Sequence, residues 1–186
     1  MAGRLLKDTG ENLLLLSLLL APPRQALLRL LRSDPGLPGG GEWPTRYQDD
    51  GELLERLQEE HTRLFVTAFP RLAAPPYAAE YLDEEPGRLL AALEQRLAAT
   101  GLQVSLNGAG RPDHLRVLLE AAGHLSDSGE RCGFLESCLV PWLPAYRERL
   151  ESAARLPLYP ALVRAVESLV LSETSRNSHE CRAVAT

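Results

Sequence analysis

Three features of the sequence predict an all-α fold. Leucine and alanine supply most of a hydrophobic fraction of 45%, aromatics contribute only 5%, and β-branched residues are scarce. Leucine and alanine are strong helix formers, whereas strands favour β-branched and aromatic side chains. Apolar residues also recur at helical spacing through successive stretches that prolines and glycines punctuate. A chain of 186 residues is long enough to bury a proper core as a single helical bundle.

The first helix is expected over about 10–21, stopped by Pro22-Pro23, and the second over about 24–32 with a broad leucine face. The apolar run Leu13 to Ala21 is too short to cross a bilayer. It follows Asp8 and Glu11 and meets prolines where a secretory signal needs small residues, so it reads as a buried helix. Residues 34–51 carry Pro35, Pro38, Pro44 and the Gly39-Gly40-Gly41 run, which predicts a flexible loop inside the domain. Trp43 and Tyr47 are placed to pin part of it.

A third helix starts near Asp50, buries Leu53, Leu57, Leu64 and Phe69, and ends at Pro70. Pro86 suits the first turn of a fourth, with the acids before it facing the positive end of the helix dipole and Gly101 as its stop. A loop over 104–110 leads to Pro112, which opens a fifth helix with Leu115, Leu118, Leu119 and Ala122 inward. The sixth carries Phe134 to Leu143, and Pro141 and Pro144 must bend or split it. The last is expected over about 157–171, and the polar, aperiodic residues 172–186 as a disordered tail.

Several function classes lack support. A net charge of −5 argues against nucleic-acid binding. Lys7 is the sole lysine, so nearly every positive charge is arginine, which speaks of coding composition rather than function. Cys132, Cys138 and Cys181 form no disulfide framework, and a reducing cytoplasmic setting is expected, without stable membrane insertion. No nucleophile elbow or Walker-type phosphate loop is present. His114 and His124 are ten positions apart, and His179-Glu180-Cys181 falls in the expected tail, so no metal or other cofactor is expected.

Two short segments remain. Pro75-Pro76-Tyr77 leads through Glu80 and Tyr81 to Asp83, and Pro112-Asp113-His114 opens an apolar helix. Together they suit a rigid aromatic and acidic surface for a peptide with basic and apolar parts. Each residue also has a plain structural reading. Tyr77 and Tyr81, four apart, would pack in the core, although the proline pair equally suits holding Tyr77 at a surface. Asp113 would serve as a helix cap or dipole partner. Glu80, Asp83, Glu84 and Glu85 would be a solvated face. His61, one turn beyond Leu57, reads as a partly buried, hydrogen-bonded core histidine.

Taken in order, Leu64-Phe65, Pro75-Pro76-Tyr77, Tyr81-Leu82-Asp83, Pro112-Asp113-His114-Leu115, Glu120, Phe134-Leu135 and Trp142-Leu143-Pro144 resemble the TorD/DmsD family of redox-enzyme maturation chaperones, related to the NarJ group. The likeness covers about residues 53–171. It implies an all-helical, non-catalytic protein that binds the twin-arginine signal peptide of a molybdenum-cofactor oxidoreductase, and often its apoprotein, until the cofactor is in place. The signal-binding elements it implies fall on Pro75, Pro76, Tyr77 and Tyr81 and on Asp113 and His114; Glu80 and Asp83 join them as guanidinium partners. Two alternatives stay open: a NarJ-like assembly factor for a membrane-bound reductase without an exported client, and a small nucleotide-dependent enzyme using Asp113 and His114. Tyr77 stands where some relatives carry tryptophan, and residues 34–51 match nothing in the family pattern.

Overall fold

A computed structural model of the chain describes residues 8–41, 43–67, 71–100 and 111–184, with side chains placed through residue 176. Its helices are α1 (Thr9–Leu19), α2 (Gln25–Ser33), α3 (Asp50–Phe65), α4 (Pro86–Ala99), α5 (Leu115–His124), α6 (Ser128–Cys138), α7 (Leu143–Ala153) and α8 (Leu158–Val184). Short 3-10 turns lie at Trp43–Arg46 and Ala78–Glu80. Among the described residues there is no strand, only one isolated antiparallel bridge between Tyr77 and His114. The all-α expectation holds.

Most helix starts follow from single capping side chains. Asp8 accepts from the Glu11 amide, Asp49 from Gly51, Glu85 from Gly87 and Arg88, and Asp127 from Glu130. Each satisfies an amide that the helix geometry leaves without a partner. Pro86 sits in the first turn of α4 as expected. The stretch holding Pro141 and Pro144 is split into α6 and α7 by a turn at 139–142.

The strongest pairing lays α1 along α5, and α8 packs on α6, α7 and α1. Close approach of α1 and α5 depends on two glycines. A Cβ at Gly123 would stand 2.7 Å from Leu14, and one at Gly10 would stand 2.8 Å from the Gly123 carbonyl oxygen. Leu13, Leu16, Leu118, Leu135, Trp142, Tyr146, Tyr159 and Val166 anchor a continuous core. Trp142 is fully buried and donates its indole N–H to the Cys138 carbonyl at 2.7 Å.

Three expectations are revised. The stretch 34–51 is less open than its composition suggests: Leu37, Pro38 and Gly39 are buried. Trp43 donates to the Gly39 carbonyl at 2.7 Å and meets Tyr47 edge to face. The last helix does not end at Leu171 but continues to Val184. It is held past that point by long-range contacts: Glu173 is buried against Arg131 from α6 and accepts from Thr9 of α1. Pro112 and Asp113 precede α5 rather than open it, and His114 is the capping residue. Phe69, Pro70, Gly101 and the 104–110 loop lie outside the described residues, as do the side chains of His179, Glu180 and Cys181.

One buried acid secures the α7–α8 connection. Glu60 of α3 is 4% exposed, accepts the amides of Arg155 and Leu156, and pairs with Arg63 at 2.8 Å. Removing it leaves two amides and a guanidinium without their partner. Glu60→Ala is expected to lower the unfolding free energy by about 3 kcal/mol, while Glu60→Gln, which keeps an acceptor, costs less. Urea unfolding midpoints of the two variants check this.

Candidate functional site

The segment before α4 is tied down on three sides. The Ala74 amide donates to the Leu64 carbonyl of α3 at 3.2 Å. Arg149 of α7 donates to the carbonyls of Ala73 and Leu72 at 3.0 and 2.9 Å. At the start of α5, Leu115 N–H donates to Pro76 and Ala78 N–H to Asp113, at 2.9 and 3.0 Å. Proline at 75 and 76 stiffens this path and leaves fewer amides to satisfy. Tyr77 and His114 are thereby brought together edge to face, ring centroids 5.2 Å apart and nearly perpendicular.

Their rings border a half-open cavity of about 390 Å³ whose other walls include Leu20, Phe65, Val66 and Leu115. This size and apolar lining suit a small ligand or a few peptide side chains. His61 also borders it, held by ring contacts with Phe65 and Tyr159 at 5.2 and 6.0 Å rather than by the hydrogen bond expected of it. Among the described residues of the lining, Arg116 is the sole charged one.

Asp113 does not offer its carboxylate to a ligand. It is 0% exposed, holds the Arg111 guanidinium through two bonds of 2.9 and 2.8 Å, and accepts the Ala79 amide at 3.2 Å. Arg111 lies over the Tyr77 ring at 4.6 Å, so the same guanidinium fixes the carboxylate and the aromatic face. Asp113 therefore shapes the site from behind. The nucleotide-enzyme alternative loses its acid by the same burial.

Tyr81 is likewise structural in its placement. It stacks on Trp142 at 5.8 Å, donates to the Pro75 carbonyl at 2.9 Å, and has its phenol pushed up to about 12 by burial. Pro75 and Pro76 are buried, and Pro76 adds to the cavity wall. Glu80 and Asp83 are exposed and lie outside the lining; the Asp113 hydrogen bond raises the pKa of Arg111, and the nearby Glu80 charge adds to it. The structure thus brings Tyr77 and His114 to one cavity; His61 and Arg116 in its lining, and Arg111 over the Tyr77 ring, were not among the residues the sequence singled out for it. Arg111 had a readable signal, since it precedes Asp113 by two positions across a proline.

Among the described residues no three His, Cys, Asp or Glu side chains are grouped to hold a metal ion. No helix among them is long and apolar enough to cross a membrane.

With this geometry in view, comparison with known proteins is decisive on family. The nitrate reductase delta subunit family matches residues 25–148. The chain belongs to that family, the NarJ/TorD group. TorD chaperones from the Classical Ogawa and El Tor Inaba strains of Vibrio cholerae serotype O1 are 28% and 27% identical over 135 residues, 64% of this chain. The match spans 61% of the length of those relatives, which are named as chaperones and not as enzymes. A crystal structure of a candidate redox enzyme maturation protein from Archaeoglobus fulgidus shares the fold, with a TM-score of 0.59 and 21% identity over 87% of this chain and 93% of that one.

The Nδ1 atom of His114 accepts the Arg116 amide at 3.1 Å, and burial pushes its pKa down to about 4, helped by the nearby Arg116 charge. Burial lowers His61 in the same direction. The unfolded chain therefore takes protons from about pH 6.5 downward that folded His114 refuses, so stability falls as pH drops from there towards about 4. The slope from His114 is at most about 1.4 kcal/mol per pH unit. His114→Asn keeps a capping acceptor without the titration and should flatten this part of the profile, read by denaturant unfolding across that range.

Proposed function

We propose that this chain is a redox-enzyme maturation chaperone that captures the leader of a molybdenum-cofactor oxidoreductase catalytic subunit, and the apoprotein behind it, until cofactor insertion is complete. The observation that carries the reading is the Tyr77–His114 pair at the edge of a cavity with leucine, phenylalanine, valine and proline in its walls, in a chain of this family. The relatives named as TorD chaperones and the helical fold support it. The setting in which it acts is the cytoplasm, before export of the client.

The physical division of labour differs from a purely acidic cradle. Walls built of leucine, phenylalanine, valine and proline take the apolar stretch of a leader, with Tyr77 as a low-entropy platform. The paired arginines stay outside, on the exposed carboxylates Glu80 and Asp83. Exposed ion pairs add little affinity but raise the encounter rate and are weakened by salt. Apolar burial holds the peptide and the outer acids select its charged end.

The family match to nitrate reductase delta subunits favours one further reading, an assembly factor for a membrane-bound reductase whose client segment lacks the arginine pair. Titration separates the two. A labelled twin-arginine leader peptide and its twin-glutamine counterpart are titrated against wild type, Tyr77→Ala, and Glu80→Gln/Asp83→Asn. The leader reading expects about tenfold weaker binding in Tyr77→Ala with the helical signal unchanged. It also expects the arginine preference to shrink in the double variant. Equal affinity for both peptides in wild type favours the assembly factor, and no effect of Tyr77→Ala removes the groove from the account.

A further inference from the structure

A second apolar hollow of about 580 Å³ lies beside the first, between the end of α1 and α2, walled by Leu15, Leu18, Leu27 and Leu30. Pro22 and Arg116 border both cavities, so the two are neighbours that share the Arg116 side chain as a wall. Two of the exposed large apolar side chains stand at its two compartments: Val66, 62% exposed, in the first and Leu18, 69% exposed, in the second. Apolar side chains left in water along a concave strip mark a place where another chain lies.

Charge decides what kind of chain. Among the described residues no carboxylate lines either compartment; the charged residues there are Arg116 and, in the second, Arg24. Arg116 is half-buried and fixed to α1, donating Nε–H to the Ser17 carbonyl at 2.9 Å while Ser17 Oγ donates to the Arg116 carbonyl. Among the described residues no acid lies within ion-pair distance of its guanidinium; Glu120, one turn along α5, attracts it from farther away. A guanidinium held in an apolar wall without a bonded anion is complementary to a carboxylate, which it takes in two parallel bonds.

We propose that both compartments are filled at once by an apolar segment of the client that carries an acidic side chain midway, its carboxylate on Arg116 and its apolar residues to either side. This rests on the chaperone reading and deepens it, since it names a second recognition element distinct from the leader arginines. The guanidinium also supplies specificity: an apolar segment without the acid leaves Arg116 unpaired under its own chain, a cost the matching segment avoids.

The probe is a short labelled leucine-rich peptide with a single central glutamate, compared with its glutamine twin by fluorescence polarisation against the full chain. Wild type should prefer the glutamate peptide by about tenfold. Arg116→Gln should abolish the preference and Arg116→Lys keep part of it. Leu18→Ser, an exposed and uncharged change outside the core, should weaken both peptides alike, and circular dichroism confirms that each variant is folded. Equal binding of the two peptides to wild type, or no effect of Leu18→Ser, overturns the proposal. If the twin-arginine leader still binds in an arginine-dependent way, only this inference has failed. If neither probe nor leader binds, the chaperone reading falls with it.

Discussion

The groove exists because two segments that are distant in sequence are joined through their backbones. Pro76 and Ala78 exchange hydrogen bonds with Leu115 and Asp113, and the buried Asp113 carboxylate then reaches across to the Ala79 amide. A buried carboxylate is costly unless its oxygens are occupied, and here Arg111 and an amide occupy them. The arrangement is rigid for that reason. It sets Tyr77 and His114 at a fixed spacing, and Arg149 and Leu64 hold the approaching chain from the other side. The cavity is shaped by these ties rather than by the side chains that line it.

The electrostatics of the site follow from burial. Desolvation lowers the pKa of His61 and of His114, so neutral imidazoles line the groove at neutral pH. Among the described lining residues, the charge that persists is Arg116. Carboxylates of the Pro75–Asp83 segment are outside, in water, where ion pairs contribute little. Two kinds of surface are thus separated in space: a cavity with Arg116 in its lining, and exposed acids beyond it.

Much of the helical frame was legible because its signals are local. Asp49, Glu85 and Asp127 stand where caps stand, Pro86 sits where proline is tolerated, and the leucine spacing of α3 to α5 reports the buried face directly. The end of α8 was not legible, since residues beyond Leu171 have no apolar period and are held by Arg131 and Thr9 from remote elements. Asp113 was read as a cap or a peptide contact, and the structure gives its carboxylate internal partners instead. Adjacent to a helix start it looks like a cap or an open ligand, whereas the turn before α5 draws it into the interior and passes capping to His114. Tyr81 and Tyr77 share helical spacing, but Tyr81 turns inward onto Trp142 and the Pro75 carbonyl while Tyr77 meets His114 and Arg111. Arg116 carried no signal at all, because its role depends on where α1 ends.

The most direct test of the groove as the client site is amide chemical-shift mapping of the isotopically labelled full chain with an unlabelled leader peptide. The account predicts that the largest shifts fall on Leu20, Val66, Tyr77, His114 and Arg116, with the outer surfaces of α4 and α8 unmoved. Shifts centred on α4 or α8, with Tyr77 and His114 silent, would contradict it.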